Sequence, residues 1–318
     1  MPQPLDPAVQ ALMSRTPRAP FVLPDPPPSA AEMALAIRAR DRAVAPAPVD
    51  DFDGTIAERT VPVRWGGVPA RVYRPHSSVA RLPAVAFFHG GGFIGGDLDS
   101  HDRLCRELAT ASQAVILSVA YRLAPEAPFP AGLEDAYDAT AWLANAADDL
   151  GIDPLRLAVA GDSAGGNLAT AVALLAQRNG APNIAFQLLL YPKLDFVNEY
   201  PSMVENGADG IPRALSQIFD DCYLPDVSQR SDPLASPVLA TDLAGMPAGL
   251  IVTADADTLR DEAEAYGQAL RLAGVEIATL RAIGLPHGFA TMTELVPSAR
   301  LITQAAASLM GFILRSSQ

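Results

Sequence analysis

The chain has 318 residues, 49% of them hydrophobic and 19% charged, enough to bury a full core in one large α/β domain or two small ones. Its net charge of −13 argues against nucleic acid as a partner. Two cysteines, Cys105 and Cys222, form neither a disulfide framework nor a C-x-x-C pair, no basic-then-apolar leader opens the chain, and no apolar run reaches about 18 residues, so the expectation is a cytoplasmic protein without stable membrane insertion.

Residues 1–50 differ from the rest. Eleven prolines fall within the first 48 residues, including Pro26-Pro27-Pro28. Between them lie two short helical patterns. One spans Pro7 to Ser14, with Val9, Leu12 and Met13 apolar; the other spans Ala30 to Val44, with Met33, Leu35 and Ile37 apolar. Two short amphipathic helices on a proline-rich strap cannot bury their own faces. Residues 1–50 are therefore expected to be the N-terminal part of a helical cap lying on a catalytic domain at 51–318.

From Gly54 the pattern turns to strands. Thr60 to Trp65, then Gly66-Gly67, then Val68 to Tyr73 reads as a β-hairpin with a Gly-Gly turn. Pro83 to Phe88 is a continuous apolar run, as in a strand buried on both faces. A helix over His101 to Ser112, a strand over Ala114 to Tyr121, a helix over Gly132 to Ala147, a strand over Leu155 to Ala160, a further helix and a strand over Ile184 to Tyr191 follow. Residues 195–225 interrupt this alternation with Pro201, Pro212, Pro225 and an amphipathic piece from Pro212 to Tyr223; an insertion there is expected to complete the cap. A strand (Gly249 to Ala254), a helix (Leu259 to Ala273), a strand (Val275 to Ala282) and a last helix (Ser298 to Leu314) close the chain. Such alternation predicts an α/β fold with a mostly parallel central sheet and helices on both faces.

Chemistry concentrates where strands end. Gly161-Asp162-Ser163-Ala164-Gly165-Gly166 links the strand ending at Ala160 to a small-residue helix. Gly-x-Ser-x-Gly in that setting is a nucleophile elbow, with Ser163 on a turn too tight for side chains at Gly161 or Gly165. His89-Gly90-Gly91-Gly92-Phe93 follows Phe88, and successive glycines there can aim backbone N–H groups at one point, as a developing oxyanion requires. A phosphate loop is the rival for such glycines, but neither Gly-Lys-Ser/Thr nor a G-x-G-x-x-G leading into a helix accompanies them. His89 and Gly90 read as support for this loop. Asp255, Asp257 and Asp261 cluster after the strand ending at Ala254. A carboxylate there can orient an imidazole, although Asp257 or Thr258 could equally cap the next helix; Asp257 is preferred, with Asp261 and Asp255 as fallbacks. His287, between Pro286 and Gly288 after the last strand, is the candidate base. His101 and Asp102 are adjacent on a helix and cannot pair as base and orienter. The order Ser163, Asp257, His287 is that of α/β-hydrolases. Lys193 is the only lysine, with Leu190 three residues before it, so a Ser-x-x-Lys dyad is absent; four histidines without an H-E-x-x-H argue against a zinc hydrolase.

Taken together, these segments resemble the hormone-sensitive-lipase-like family of α/β-hydrolases, the bacterial family IV esterases. His89 to Phe93, Gly95-Gly96-Asp97, Tyr121 to Glu126, Gly161 to Gly166, Asp232 to Pro237, Asp257 to Glu262 and His287-Gly288-Phe289 carry the resemblance, from about residue 50 onward. It implies an α/β-hydrolase fold and a carboxylic ester hydrolase with Ser163 as nucleophile, His287 as base and Asp257 as its orienter. The N–H groups of Gly91, Gly92 and Ala164 would form the oxyanion hole, with His89, Gly90 and Asp162 supporting it. No metal or organic cofactor is called for. The substrate implied is a small, uncharged ester with a short to medium acyl chain or an aryl group; amidase, lactonase or acyltransferase chemistry with the same triad, or a non-catalytic binding module, are the alternatives. Family members are often dimers, so a homodimer is left open. The family's usual Asp-Pro-Leu is Asp257-Thr258-Leu259 here.

Overall fold

The computed structural model describes residues 4–15, 28–44, 52–207 and 210–316. Most of the proline strap, including Pro26 and Pro27, lies outside them. The expected hairpin is present: β1 (Gly54–Val63) and β2 (Gly66–Pro75) run antiparallel. Its turn falls at Arg64-Trp65 rather than at the glycine pair, since Gly66 and Gly67 already face Val63 and Pro62 in register. The glycines serve the start of the strand instead. Gly66 takes φ +131°, and a Cβ on Gly67 would meet Thr60 Cγ2 at 2.6 Å.

The remaining strands are β3 (Leu82–Phe88), β4 (Val115–Val119), β5 (Ile152–Asp162), β6 (Phe186–Leu190), β7 (Ala248–Ala256) and β8 (Ile277–Pro286). They join β1 and β2 in an 8-stranded sheet of order β1-β2-β4-β3-β5-β6-β7-β8. The β1–β2 and β2–β4 pairings are antiparallel and the others parallel. The helices are α1 (Pro7–Arg15), α2 (Ala30–Val44), α3 (Asp102–Ser112), α4 (Ala131–Asn145), α5 (Ala147–Leu150), α6 (Ala164–Asn179), α7 (Pro201–Glu205), α8 (Arg213–Tyr223), α9 (Arg260–Leu272) and α10 (Pro297–Ser316). No helix among the described residues is long and apolar enough to cross a membrane.

The sheet is apolar on both sides because helices cover both. Along β3, Ala84, Ala86 and Phe88 enter one apolar cluster with α4 and α6, while Val85 and Phe87 enter a second with α3 and α10. Every residue of β3 is buried, as its unbroken apolar run requires. Each fully buried Val, Leu or Phe contributes about 1.5–3 kcal/mol of transfer free energy. Cys105 belongs to the second cluster and Cys222 to the first.

The two N-terminal helices do not lie together. Val9 of α1 is buried in the second cluster, and the Asp6 N–H donates to the Gly284 carbonyl of β8 at 2.9 Å. Met33, Ala34 and Ile37 of α2 join the first cluster. Arg38 anchors α2 there, with Nε on the Ile94 carbonyl at 2.7 Å and its two terminal nitrogens on Glu126 at 2.9 and 2.8 Å. The long connection between β6 and β7 contains α7 and α8, and Leu215, Ile218 and Phe219 of α8 pack on the first cluster.

Candidate active site

Five residues each stand one step past the end of a parallel strand: His89 after β3, Ser163 after β5, Tyr191 after β6, Asp257 after β7 and His287 after β8. Neighbouring parallel strands end on the same side, so these residues converge. Ser163 has φ 53° and ψ −118°, a backbone conformation costly for a residue with a Cβ. Two close approaches impose it. A Cβ on Gly161 would sit 2.2 Å from the Gly165 carbonyl oxygen, and one on Gly165 would sit 1.9 Å from the Phe88 carbonyl oxygen. Helix α6 is thereby pressed against the ends of β3 and β5. Its first residue, Ala164, brings an unbonded helix N-terminus and the positive end of the helix dipole beside the serine hydroxyl.

His287 Nε2 lies 2.9 Å from Ser163 Oγ, and His287 Nδ1 lies 2.7 Å from Asp257 Oδ2. The other carboxylate oxygen of Asp257 accepts the Leu259 N–H at 3.0 Å, so Asp257 makes a turn bond and orients the imidazole at once. Burial alone would lower the His287 pKa. The charge of Asp257 and its hydrogen bond outweigh that and hold the imidazole above its ordinary value. The neighbouring carboxylates point elsewhere: Asp255 accepts from the Gly284 N–H at 3.3 Å, and Asp261 from the Ser202 N–H at 2.8 Å and Arg260 Nε at 2.8 Å.

The glycine loop bends through three successive residues of positive φ: Gly91 at 121°, Gly92 at 61° and Phe93 at 64°. Phe219 of α8 closes over it, so that a Cβ on Gly92 would fall 2.6 Å from the ring. Phe93 stacks on Tyr223, ring centroids 3.6 Å apart, tying the loop to α8 a second time. Beneath the loop, His89 stacks on Tyr121 at 4.4 Å, and its Nδ1 sits 2.8 Å from the Gly90 carbonyl. Burial, with His101 nearby, pushes the His89 pKa down to about 4, so it is a neutral strut at ordinary pH.

Asp162 acquires a definite place. Its Oδ1 accepts the Gly90 N–H at 2.9 Å and lies 3.2 Å from His101 Nε2. Burial opposes ionisation, yet His101 and the Gly90 N–H hold the carboxyl below its usual range. Tyr191 stands beside this group: its hydroxyl accepts the Ala290 N–H at 3.2 Å, and its ring meets His287 edge-on at 5.0 Å. One buried carboxylate thus connects the elbow to the glycine loop and to His101. Sequence reasoning missed His101 beside Asp162 and Tyr191 beside His287. Tyr191 carried a signal, its position directly after an apolar strand; His101 carried none, since Asp99, Ser100, Asp102 and Arg103 around it are polar as well. Asp102 turns away, accepting from the Tyr73 hydroxyl at 2.7 Å and Arg106 Nε at 2.6 Å. Among the described residues, no group of three or more His, Cys, Asp or Glu side chains is arranged to hold a metal ion.

Residues 85–291 match the protein family described by the alpha/beta hydrolase fold. The chain is 40% identical over 251 residues to the carboxylesterase NlhH of Mycobacterium tuberculosis, spanning 77% of this chain and 78% of that protein. It is 42% identical over 271 residues to the carboxylic ester hydrolase LipN of the same species, spanning 82% and 71%. Among solved structures, an esterase of Pyrobaculum calidifontis superposes with a TM-score of 0.88 at 36% identity, covering 98% of this chain and 99% of that one. With sequence and fold in agreement, the chain belongs to the hormone-sensitive-lipase-like esterases of the α/β-hydrolase family.

Proposed function

We propose that the chain hydrolyses carboxylic esters through a Ser163–His287–Asp257 triad and an acyl-enzyme. The observation that carries this reading is the hydrogen-bonded series from Ser163 Oγ to His287 Nε2 at 2.9 Å and from His287 Nδ1 to Asp257 at 2.7 Å. His287 takes the hydroxyl proton as Ser163 Oγ attacks the ester carbonyl, and Asp257 stabilises the imidazolium that forms. The oxyanion is received by the N–H groups of Gly91, Gly92 and Ala164. The imidazolium then protonates the departing alcohol, and a water deprotonated by His287 releases the acid and restores the serine.

The substrate proposed is small and uncharged, with a short to medium acyl chain or an aryl group. Phe219 and the Phe93–Tyr223 stack give the loop an apolar cover, and the net charge of −13 disfavours anions. One relative, from Pseudomonas putida, 38% identical over 238 residues, is named ethyl acetate hydrolase. In this reading α2 and α8 act as the cap. The two cysteines are free buried thiols, in keeping with a cytoplasmic location.

A panel of esters of increasing acyl length, with amides and lactones beside them, tests the proposal. Turnover is expected for esters and to fall with long chains. Absence of turnover on every ester, or labelling by a fluorophosphonate that persists in Ser163→Ala, overturns it.

A further inference from the structure

The turn that carries Asp257 is held from outside its own strand. Asp257 is fully buried, with Asp255 and Thr258 nearly so, and a buried carbonyl needs a donor. Within the turn the Asp257 carbonyl accepts only a long bond, from the Arg260 N–H at 3.4 Å; the shorter side-chain donors come from α7 and the residue just past it. Asn206 Nδ2 donates to the Asp257 carbonyl at 2.9 Å and lies 3.3 Å from the Asp255 carbonyl. Ser202 Oγ donates to the Thr258 carbonyl at 2.9 Å. Arg260 bridges the same two segments, with Nη1 3.2 Å from the Asp255 carbonyl and Nη2 2.7 Å from Glu205 of α7. Ser202 and Asn206 are themselves buried, and Thr258 supplies no pyrrolidine ring to fix φ.

We infer that Ser202 and Asn206 are positioning residues for the reaction: the insertion between β6 and β7 sets the acid in place as well as covering the site. This rests on the reading of Asp257 as the orienter of His287. The Asn206 amide serves two carbonyls flanking the acid. Without it the turn relaxes and Asp257 Oδ2 leaves His287 Nδ1, a displacement to which catalysis is steep, since about 1 Å can cost about 10²-fold.

The test compares Asn206→Ala and Ser202→Ala with Arg213→Ala, which alters an exposed ion pair with Glu199 on the same insertion. Steady-state kinetics on a short-chain p-nitrophenyl ester are combined with the far-downfield proton resonance of the His287–Asp257 hydrogen bond. Asn206→Ala is expected to lower kcat roughly ten- to hundredfold with KM changed less than about threefold, and to shift or broaden the resonance. Ser202→Ala is expected to do the same more weakly, and it carries the test if Asn206→Ala does not fold. Arg213→Ala is expected to leave both unchanged. An unchanged kcat and resonance in folded Asn206→Ala, or a rise in KM alone, overturns the inference. Asp257→Asn run alongside separates the two readings: if that variant keeps its kcat, the assignment of the acid has failed rather than the role of α7.

Discussion

His287 and His76 each hold an aspartate at 2.7 Å through Nδ1, and each stands one residue past a strand. Only His287 reaches a serine. The difference is strand direction. Strand β8 is parallel to β7, and through β6 to β5, so its end lies beside the elbow. Strand β2 runs antiparallel to β4, so its end, with His76 and Asp53, emerges at the opposite end of the sheet. There the pair is open to solvent, whereas Asp257 is fully buried. A third pair, His101 with Asp162, is on the correct side and even meets a serine, its sequence neighbour Ser100, at 2.9 Å, but it is buried behind the glycine loop. A short His–Asp contact does not identify a catalytic pair; what it faces does.

Substitutions break this comparison in graded steps. Ser163→Ala removes what His287 faces, and kcat is expected to fall by about 10⁵–10⁶, with fluorophosphonate labelling lost. Asp257→Asn keeps the shape but favours the wrong imidazole tautomer, and about 10⁴ in kcat is expected to go. The same change at Asp255 or Asp261 should cost far less, because neither carboxylate is hydrogen-bonded to His287; a larger loss at either position would reassign the acid. Asp162→Asn leaves His101 without its carboxylate while still offering Gly90 an oxygen. Thermal unfolding should report a loss of about 3–5 kcal/mol, typical of a broken buried pair, and kcat should fall about tenfold as the glycine loop loosens.

The pH profile sharpens the comparison further. The base must be neutral to accept a proton, and His287 titrates above its ordinary value. The acidic limb of kcat/KM is therefore expected to inflect above about 6.5, losing tenfold per pH unit below the inflection, and to move to lower pH in Asp257→Asn. An inflection well below that value in the unaltered protein would mean that Asp257 does not act on the free enzyme's base. The smallest effect belongs to His76→Ala. Its pair is exposed, so stability is expected to change by less than about 0.5 kcal/mol and kcat not at all.

Much of this arrangement was legible because the chemistry sits one step past apolar runs. Ser163, Asp257 and His287 could be read in order from where β5, β7 and β8 must end, and the sheet followed from the alternation that fixes those ends. The choice among three carboxylates was harder. Asp255, Asp257 and Asp261 share one short segment, and only the direction of each side chain, which follows from the strand's pleat and the first turn of α9, separates them. The Asp162–His101 contact joins residues on different elements, and nothing in local pattern encodes such an approach. Donation by Asn206 to the acid turn was hidden for the same reason. The hairpin turn was misplaced because the glycine pair was read as a bend, whereas its role is to begin β2 with φ +131° at Gly66.

The members of the site do not share one fate when the protein opens. Ser163 follows a strand paired on both sides, with β3 and β6, while His287 follows β8, one of the two edge strands of the sheet. Local opening begins where few neighbours hold the backbone, so the segment carrying His287 should exchange its amides and detach before the one carrying Ser163 does. Heating short of global unfolding would then leave a serine still locked in its strained turn with no partner to deprotonate it. Activity would disappear ahead of the bulk signal, and return on cooling without the centre of the sheet ever having come apart.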